Sequence, residues 1–343
     1  MRYRMIGDVR VGAIGLGAMP LSIEGHPDEG RALATVHAAL DAGVTLLDTA
    51  DSYHPPGGEP GAGELLVARA LATYGGRGRG RGTDDVLVAT KGGRGRSSDG
   101  GWTVDGRPEH LRRAAQASAR RLGVEAIGLY QLHKPDPAVP YAESLGALAE
   151  LLDAGTIRLA GISNVDVDQI RLAREILGAR LVSVQNRYSP AVRTAEAELR
   201  LCAELGIAFL PWSPLGGISR SSLDGVSRGS LDGVSRNGAP QGGVSRGGAR
   251  QGGDRRGGVS RGGARQGGVS DLVEDPEFGA FHRVARARGV SPQRVALAWL
   301  LARSETVLPI PGASRAETVR DSAGATELVL DTRELVELDA RRR

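Results

Sequence analysis

Four side chains in the sequence have the types and placement of a proton-transfer site: Asp48, Tyr53, Lys91 and His133. The first two close the stretch Leu46-Leu47-Asp48-Thr49-Ala50-Asp51-Ser52-Tyr53, an apolar run that ends in a carboxylate and a phenol. A phenol has a pKa of about 10, so Tyr53 needs a nearby cation to give up a proton at neutral pH. Lys91 closes a second apolar run, Val86-Leu-Val-Ala-Thr-Lys91, and His133 closes a third, Ile127-Gly-Leu-Tyr-Gln-Leu-His133. The chain has 42 Arg but only two Lys, Lys91 and Lys134. A lysine kept against that bias points to a task for a compact ammonium that arginine cannot perform. In this reading Lys91 stabilises the phenolate and depresses the Tyr53 pKa, Asp48 fixes Lys91, and His133 orients a carbonyl oxygen. The set is a proton donor for a carbonyl that receives a hydride.

Convergence requires a scaffold that ends several strands at one face. Apolar runs and helical periodicities alternate along the chain. A first strand falls in Val11–Met19, ending in glycines. Others follow at Val44–Leu47, Val86–Lys91, Ile127–His133, Ile157–Asn164, Leu181–Asn186, Ile207–Ser213 and Val307–Gly312. Helices are expected at Asp28–Ala42, Gly63–Tyr74, Pro108–Leu122, Pro140–Ala154, Val167–Leu177, Ala195–Leu205, Phe278–Arg288 and Pro292–Arg303, with two more at about 315–325 and 332–341. Eight strand–helix units predict an α/β fold, a (β/α)8 TIM barrel in one domain spanning 1–343. A hairpin turning at Gly7-Asp8 precedes it. Neighbouring barrel strands lie roughly 4.8 Å apart, close enough for the four side chains to meet.

Residues 217–270 do not fit this pattern. GGVSRGGARQ occurs at 242–251 and 257–266, and SLDGVSR at 222–228 and 230–236. With 17 Gly in 54 residues and no aromatic, the segment cannot bury enough apolar area to offset its ordering entropy, which predicts a disordered insertion after strand seven. Its nine Arg against three Asp carry +6 of charge, whereas the whole chain carries +4, so the remainder is slightly acidic at −2. The basic balance therefore belongs to one segment, and the missing aromatics argue against an RNA-binding arm. A single cysteine, Cys202, rules out an intrachain disulfide and is read as core. No metal site is expected. Nothing in the sequence reads as a signal peptide or membrane span, so a cytoplasmic protein with no membrane partner is expected.

The sequence resembles the aldo/keto reductase superfamily along nearly all of its length, apart from 217–270. The resemblance is carried by DTADSY (48–53), ATKGG (89–93), LHKPDP (132–137), GISN (161–164), SVQNRYS (183–189), PWSPLGG (211–217) and PIPGASR (309–315). It implies an NADPH-dependent carbonyl reductase acting on a small aldehyde or ketone, with Asp48, Tyr53, Lys91 and His133 as catalytic tetrad. It also implies cofactor contacts: Gly17 and Met19 at the end of the first strand, and Ser163, Asn164 and Gln185 at the nicotinamide carboxamide. Trp212 would lie against the nicotinamide ring, and Ser213, Leu215 and Gly216 along the pyrophosphate. Gly312, Ser314 and Arg315 would grip the 2′-phosphate. An arginine fork beside a helix N-terminus suits a phosphate, which favours NADPH over NADH.

Two departures stand out. Asp321-Ser322 replaces the usual Glu-Asn near the adenine, and the repeats replace the loop that often folds over the pyrophosphate, which predicts looser cofactor binding. His54 and Trp102 are candidates for lining the substrate pocket, while Lys134 reads as solvated. The competing function is a regulatory barrel that keeps the cofactor and binds a partner with little turnover. Oligomeric state and physiological substrate have no signature in the sequence.

Overall fold

The computed structural model describes residues 1–75, 83–97, 99–218 and 278–340. The disorder expected for 217–270 concerns residues that, from 219 onward, lie outside that range. Within it, seven parallel strands curl in sequential order: β3 (Leu16–Gly17), β4 (Leu46–Asp48), β5 (Leu87–Gly92), β8 (Ile127–Leu132), β9 (Ile157–Ser163), β10 (Leu181–Gln185) and β11 (Ala208–Phe209). Helices α1 (Glu29–Asp41), α2 (Ala62–Thr73), α3 (Pro108–Leu122), α4 (Tyr141–Asp153), α5 (Val167–Leu177) and α6 (Glu196–Leu205) alternate with them. The chain ends in α7 (Gly279–Arg288), α8 (Pro292–Arg303), α9 (Ala316–Gly324) and α10 (Thr332–Asp339). This is the barrel that the alternation predicts, with each boundary within a few residues except at the first and seventh strands and at the expected eighth, Val307–Gly312, which forms no regular strand.

The eighth stave closes the ring without forming a regular strand, and its prolines explain why. Leu308 and Ile310 donate their N–H groups to the carbonyls of Phe209 and Pro211 on one side. Pro309 and Pro311 offer only carbonyls to the other side, where they accept from Gly15 and Gly17 at 3.0 Å each. A proline has no N–H to return, so the ladder toward β3 is one-directional. Isolated bridges pair Phe209 with Val307 and Gly17 with Gly312.

The N-terminal hairpin, β1 (Tyr3–Ile6) and β2 (Val9–Gly12), plugs the bottom of the barrel. Its turn residue Gly7 has φ +60°, and a Cβ there would come 2.8 Å from Val182 Cγ1 inside the barrel. Ile6 and Val11 join Leu46, Leu87, Leu129, Val182, Leu308 and Ile310 in one interior cluster. Larger clusters fill the space between strands and helices, with Cys202 fully buried in one of them. A second hairpin, β6 (Arg94–Arg96) and β7 (Trp102–Val104), rises from the end of β5 and was not expected from the sequence. Among the described residues no helix is long and apolar enough to cross a membrane.

Candidate active site

The interior changes character along its axis. Leucines and isoleucines fill the lower part, and a polar layer sits above them at the C-terminal strand ends. Strand alternation sends Leu46 and Asp48 inward together, as it does Ala89 and Lys91, and Leu129, Gln131 and His133. On β10 the alternation alone would fail, because Val182 already points inward. A register irregularity between Leu181 and Ser183 lets the next residue face inward as well. Ser183 and Gln185 thereby reach the polar layer. Gly161 makes the room, since a Cβ on it would lie 2.1 Å from Ser183 Oγ and 2.9 Å from Gln131 Cγ.

The four predicted catalytic side chains converge there. Lys91 is fully buried, and each of its three N–H donors has a target. Lys91 Nζ lies 2.6 Å from Asp48 Oδ1, 2.7 Å from the Thr49 carbonyl and 3.3 Å from the Tyr53 hydroxyl. Gln185 Nε2 donates to the other oxygen of Asp48 at 2.8 Å, and Gln131 Nε2 approaches the same oxygen at 3.4 Å. His133 stands edge-on to the Tyr53 ring, with centroids 5.7 Å apart, and its Nδ1 is 3.4 Å from Ser52 Oγ.

The electrostatics follow from burial and neighbours. Burial alone would lower the Lys91 pKa, but the Asp48 charge, aided by Tyr53, holds it above its usual value. Tyr53 departs from expectation. Burial raises its pKa, and Lys91 only partly offsets that, so the phenol keeps its proton rather than ionising. His133 is held well below the usual imidazole range by burial, then by the Lys91 and Arg94 charges, and is therefore neutral at physiological pH.

The predicted cofactor residues ring the same end of the barrel. Ser163 donates to the Gln185 carbonyl at 2.7 Å, and Asn164 donates to the His133 carbonyl at 2.9 Å. Among the described residues Asn164 (φ 58°) and Ser213 (φ 48°) are the only non-glycines with positive φ. Such backbone is costly and clusters where a fold serves a ligand. Trp212 is half-buried under the Arg187 guanidinium, 5.6 Å from the ring centroid, and its buried Nε1 has no partner. Leu215 and Gly216 follow Ser213 around that strand end and are partly exposed. Gly17 faces Gly312 across the closure, and Met19 packs beside Tyr53. Arg315, exposed, precedes α9, whose N-terminus has no side-chain cap, and Ser314 adjoins it. Those free N–H groups and the guanidinium suit a phosphate. At the proposed adenine end, Asp321 is already held by Arg294 at 2.9 Å and by Ser291, and Ser322 is buried.

Of the proposed substrate residues, Trp102 packs beside Ile23, Ala50 and Tyr53, whereas His54 is buried, with Nδ1 2.9 Å from the Pro55 carbonyl. Lys134 is less exposed than a solvated lysine, and burial lowers its pKa. Several residues at the site were not anticipated. Gln131 shares the inward face of His133, two positions earlier, and that spacing could have found it. Asn186 clamps the loop after β9 through two bonds to the Val165 backbone, at 3.1 and 2.7 Å. Behind the tetrad lies a second buried cluster: Glu64 is bonded to Thr90 Oγ1 at 2.6 Å and to Arg121 Nε at 2.5 Å, next to Asp51.

Comparison with known proteins agrees with this geometry. The model of the aldo/keto reductase family matches residues 13–343. An uncharacterized oxidoreductase of Schizosaccharomyces pombe is 30% identical over 340 residues, covering 97% of this chain and 88% of its own length. The glycerol dehydrogenase of Gluconobacter oxydans superposes with a TM-score of 0.71 at 26% identity, over 98% of this chain and 94% of that one. An aldo/keto reductase of Klebsiella pneumoniae, solved with NADP and acetate, has a TM-score of 0.67 at 23% identity, again over 98% and 94%. With the barrel, the buried Asp–Lys–Tyr contacts and a family match over nearly its whole length, the chain belongs to the aldo/keto reductase family.

Proposed function

We propose that the protein reduces an aldehyde or ketone to an alcohol with NADPH, and that Tyr53 supplies the proton. The observation that carries this reading is the bond from Lys91 to the Tyr53 oxygen. A hydroxyl that accepts at its oxygen keeps its own O–H free to donate. As charge builds on a carbonyl oxygen, Tyr53 gives it that proton, and the Lys91 ammonium meets the phenolate left behind. The raised pKa of buried Tyr53 keeps the proton in place until then. His133, neutral and bonded to Ser52 at Nδ1, donates from Nε2 to the same carbonyl oxygen and orients it. Asp48 prevents the ammonium from being an isolated buried charge.

Bound reduced nicotinamide supplies the hydride. Ser163, Asn164 and Gln185 would hold its carboxamide and Trp212 its ring. Ser213, Leu215 and Gly216 would follow the pyrophosphate, opposite Gly17 and Met19. Gly312, Ser314, Arg315 and the α9 N-terminus would take the 2′-phosphate, with Asp321 and Ser322 near the adenine. The strained backbone at Asn164 and Ser213 and the unpartnered Trp212 Nε1 support this shelf, as does the NADP bound by the Klebsiella pneumoniae relative.

The test is NADPH consumption against nitrobenzaldehyde, pyridoxal and methylglyoxal, repeated with NADH. Tyr53→Phe should lower kcat by about 10²–10⁴-fold while NADPH still binds. Retained turnover in that variant would remove Tyr53 from the chemistry.

A further inference from the structure

Two arginines stack on Trp102, and they differ in one respect. Arg94 and Arg96 share a face of the β6–β7 hairpin, with guanidinium carbons 4.5 and 4.6 Å from the ring centroid. The Arg96 charge is already neutralised. Its fork meets the Glu24 carboxylate, at 2.7 Å for one arm, and the same two terminal nitrogens also reach the His54 and Gly100 carbonyls at 3.0 Å each. The buried Nε of each arginine has no hydrogen-bond acceptor, but Arg94 alone of the two has no carboxylate partner among the described residues. It is half-buried, three residues beyond Lys91, and held by a ring that itself packs beside Tyr53. Its charge acts on Tyr53, His133 and Lys134. Lys134, the other cation at this mouth, also has no acid partner among the described residues.

Leaving a guanidinium partly desolvated and unpaired is costly. Pre-orienting it on an aromatic face beside a proton donor makes it an acceptor-seeking fork. We propose that the cleft selects carbonyl substrates that carry an anionic group, a carboxylate or phosphate, which Arg94 binds while Tyr53 meets the carbonyl oxygen. Lys134 adds a second positive charge at the rim. Trp102 thus sets specificity indirectly, as the platform that positions Arg94. The inference rests on reading the cleft as a carbonyl-reducing site.

The test compares substrates that differ only in charge: 4-carboxybenzaldehyde against benzaldehyde, and glyceraldehyde 3-phosphate against glyceraldehyde. The wild type should show a higher kcat/KM for the charged member of at least one pair, and the pair that does so distinguishes carboxylate from phosphate. Arg94→Gln should reduce that charged-to-neutral ratio by about 10- to 100-fold, the range of a charge-assisted contact. A ratio near one in the wild type, or a preference that survives Arg94→Gln, would overturn the proposal. So would weakened NADPH binding in the variant with the ratio unchanged, which would assign Arg94 to the cofactor.

Binding to the NADP-saturated protein separates this inference from the catalytic reading. An amide end mimics the carbonyl, so 4-carbamoylbenzoate should bind about tenfold or more tighter than benzamide, and Arg94→Gln should abolish the difference. If no aldehyde is reduced but that difference holds, hydride transfer is wrong and the anion pocket stands. Equal binding of the two amides overturns the pocket for carboxylates, and equal binding of inorganic phosphate to wild type and Arg94→Gln overturns it for phosphate.

Discussion

Gln185 Nε2 donates to Asp48 Oδ2 at 2.8 Å, on the opposite side of the carboxylate from Lys91, which holds Oδ1 at 2.6 Å. The acid is therefore pinned from two strands, β10 and β5, and a residue on the proposed nicotinamide side is tied to the proton-transfer pair. Gln185→Leu leaves Oδ2 with only the long contact to Gln131. We expect it to cost about 1–3 kcal/mol of stability, the penalty for a buried acceptor losing its donor. Weaker NADPH binding and slower single-turnover reduction should accompany that loss. Stopped-flow kinetics and urea melts of the one variant measure all three, and normal values for all would separate Gln185 from the site.

Lys91 and Asp48 should behave as a unit. Lys91→Met alone leaves a buried carboxylate facing an apolar side chain, which costs about 3–5 kcal/mol. Adding Asp48→Asn removes the stranded charge and should restore most of that stability without restoring activity. A double-mutant cycle by urea denaturation reads the coupling. Simple additivity would mean that the pair is not held as described.

Asp51 predicts an unusual dependence on pH. Burial, followed by the nearby Glu64 charge, raises its pKa from 3.8 to about 8. The folded state then holds a proton that the unfolded state has released. By linkage, this contribution to stability falls as pH rises from about 4 to about 8, then levels off. Asp51→Asn stays neutral throughout and should be stabilising, most of all above pH 8. Thermal melts at pH 5 and pH 8.5 test the sign: the wild type should lose more stability between them than the variant does.

Arg4 gives a prediction far from the chemistry. From β1 its guanidinium donates to the carbonyls of Ser304 (2.8 Å), Leu301 (2.6 Å) and Val307, at the C-terminal end of α8 where a cation is favoured. Arg4→Ala strands those acceptors, and a loss of about 3 kcal/mol in denaturant unfolding, with kcat unchanged, is expected. Glu305, 3.8 Å from Arg4 but with its side chain 96% exposed, should matter little when removed.

The strand–helix alternation made the barrel legible, because each parallel strand is buried on both faces and reads as an apolar run. The tetrad was legible for a related reason. Asp48, Lys91 and His133 each close such a run, where a polar side chain has no packing role. Gln185 was expected at the cofactor but not at Asp48, since the irregularity on β10 that turns it inward leaves no local mark in the sequence. Arg94 and Trp102 meet only after a hairpin pairs Arg96 with Trp102, and the run of Arg and Gly there resembles a loop. The raised Tyr53 pKa was missed because a neighbouring ammonium can be guessed from sequence, whereas the depth of burial opposing it cannot.

The two lysines have a practical consequence. The chain carries no others, and both stand at the ends of adjacent strands, one fully enclosed and one at the rim. Isotope placed on lysine ε-carbons would give a side-chain spectrum of two resonances. One would report the ammonium that faces Tyr53, with its titration shifted upward, and the other the mouth beside Arg94, shifted downward. A protein of 343 residues thus carries a native pair of spectroscopic reporters that needs no engineering and sees little besides the cleft.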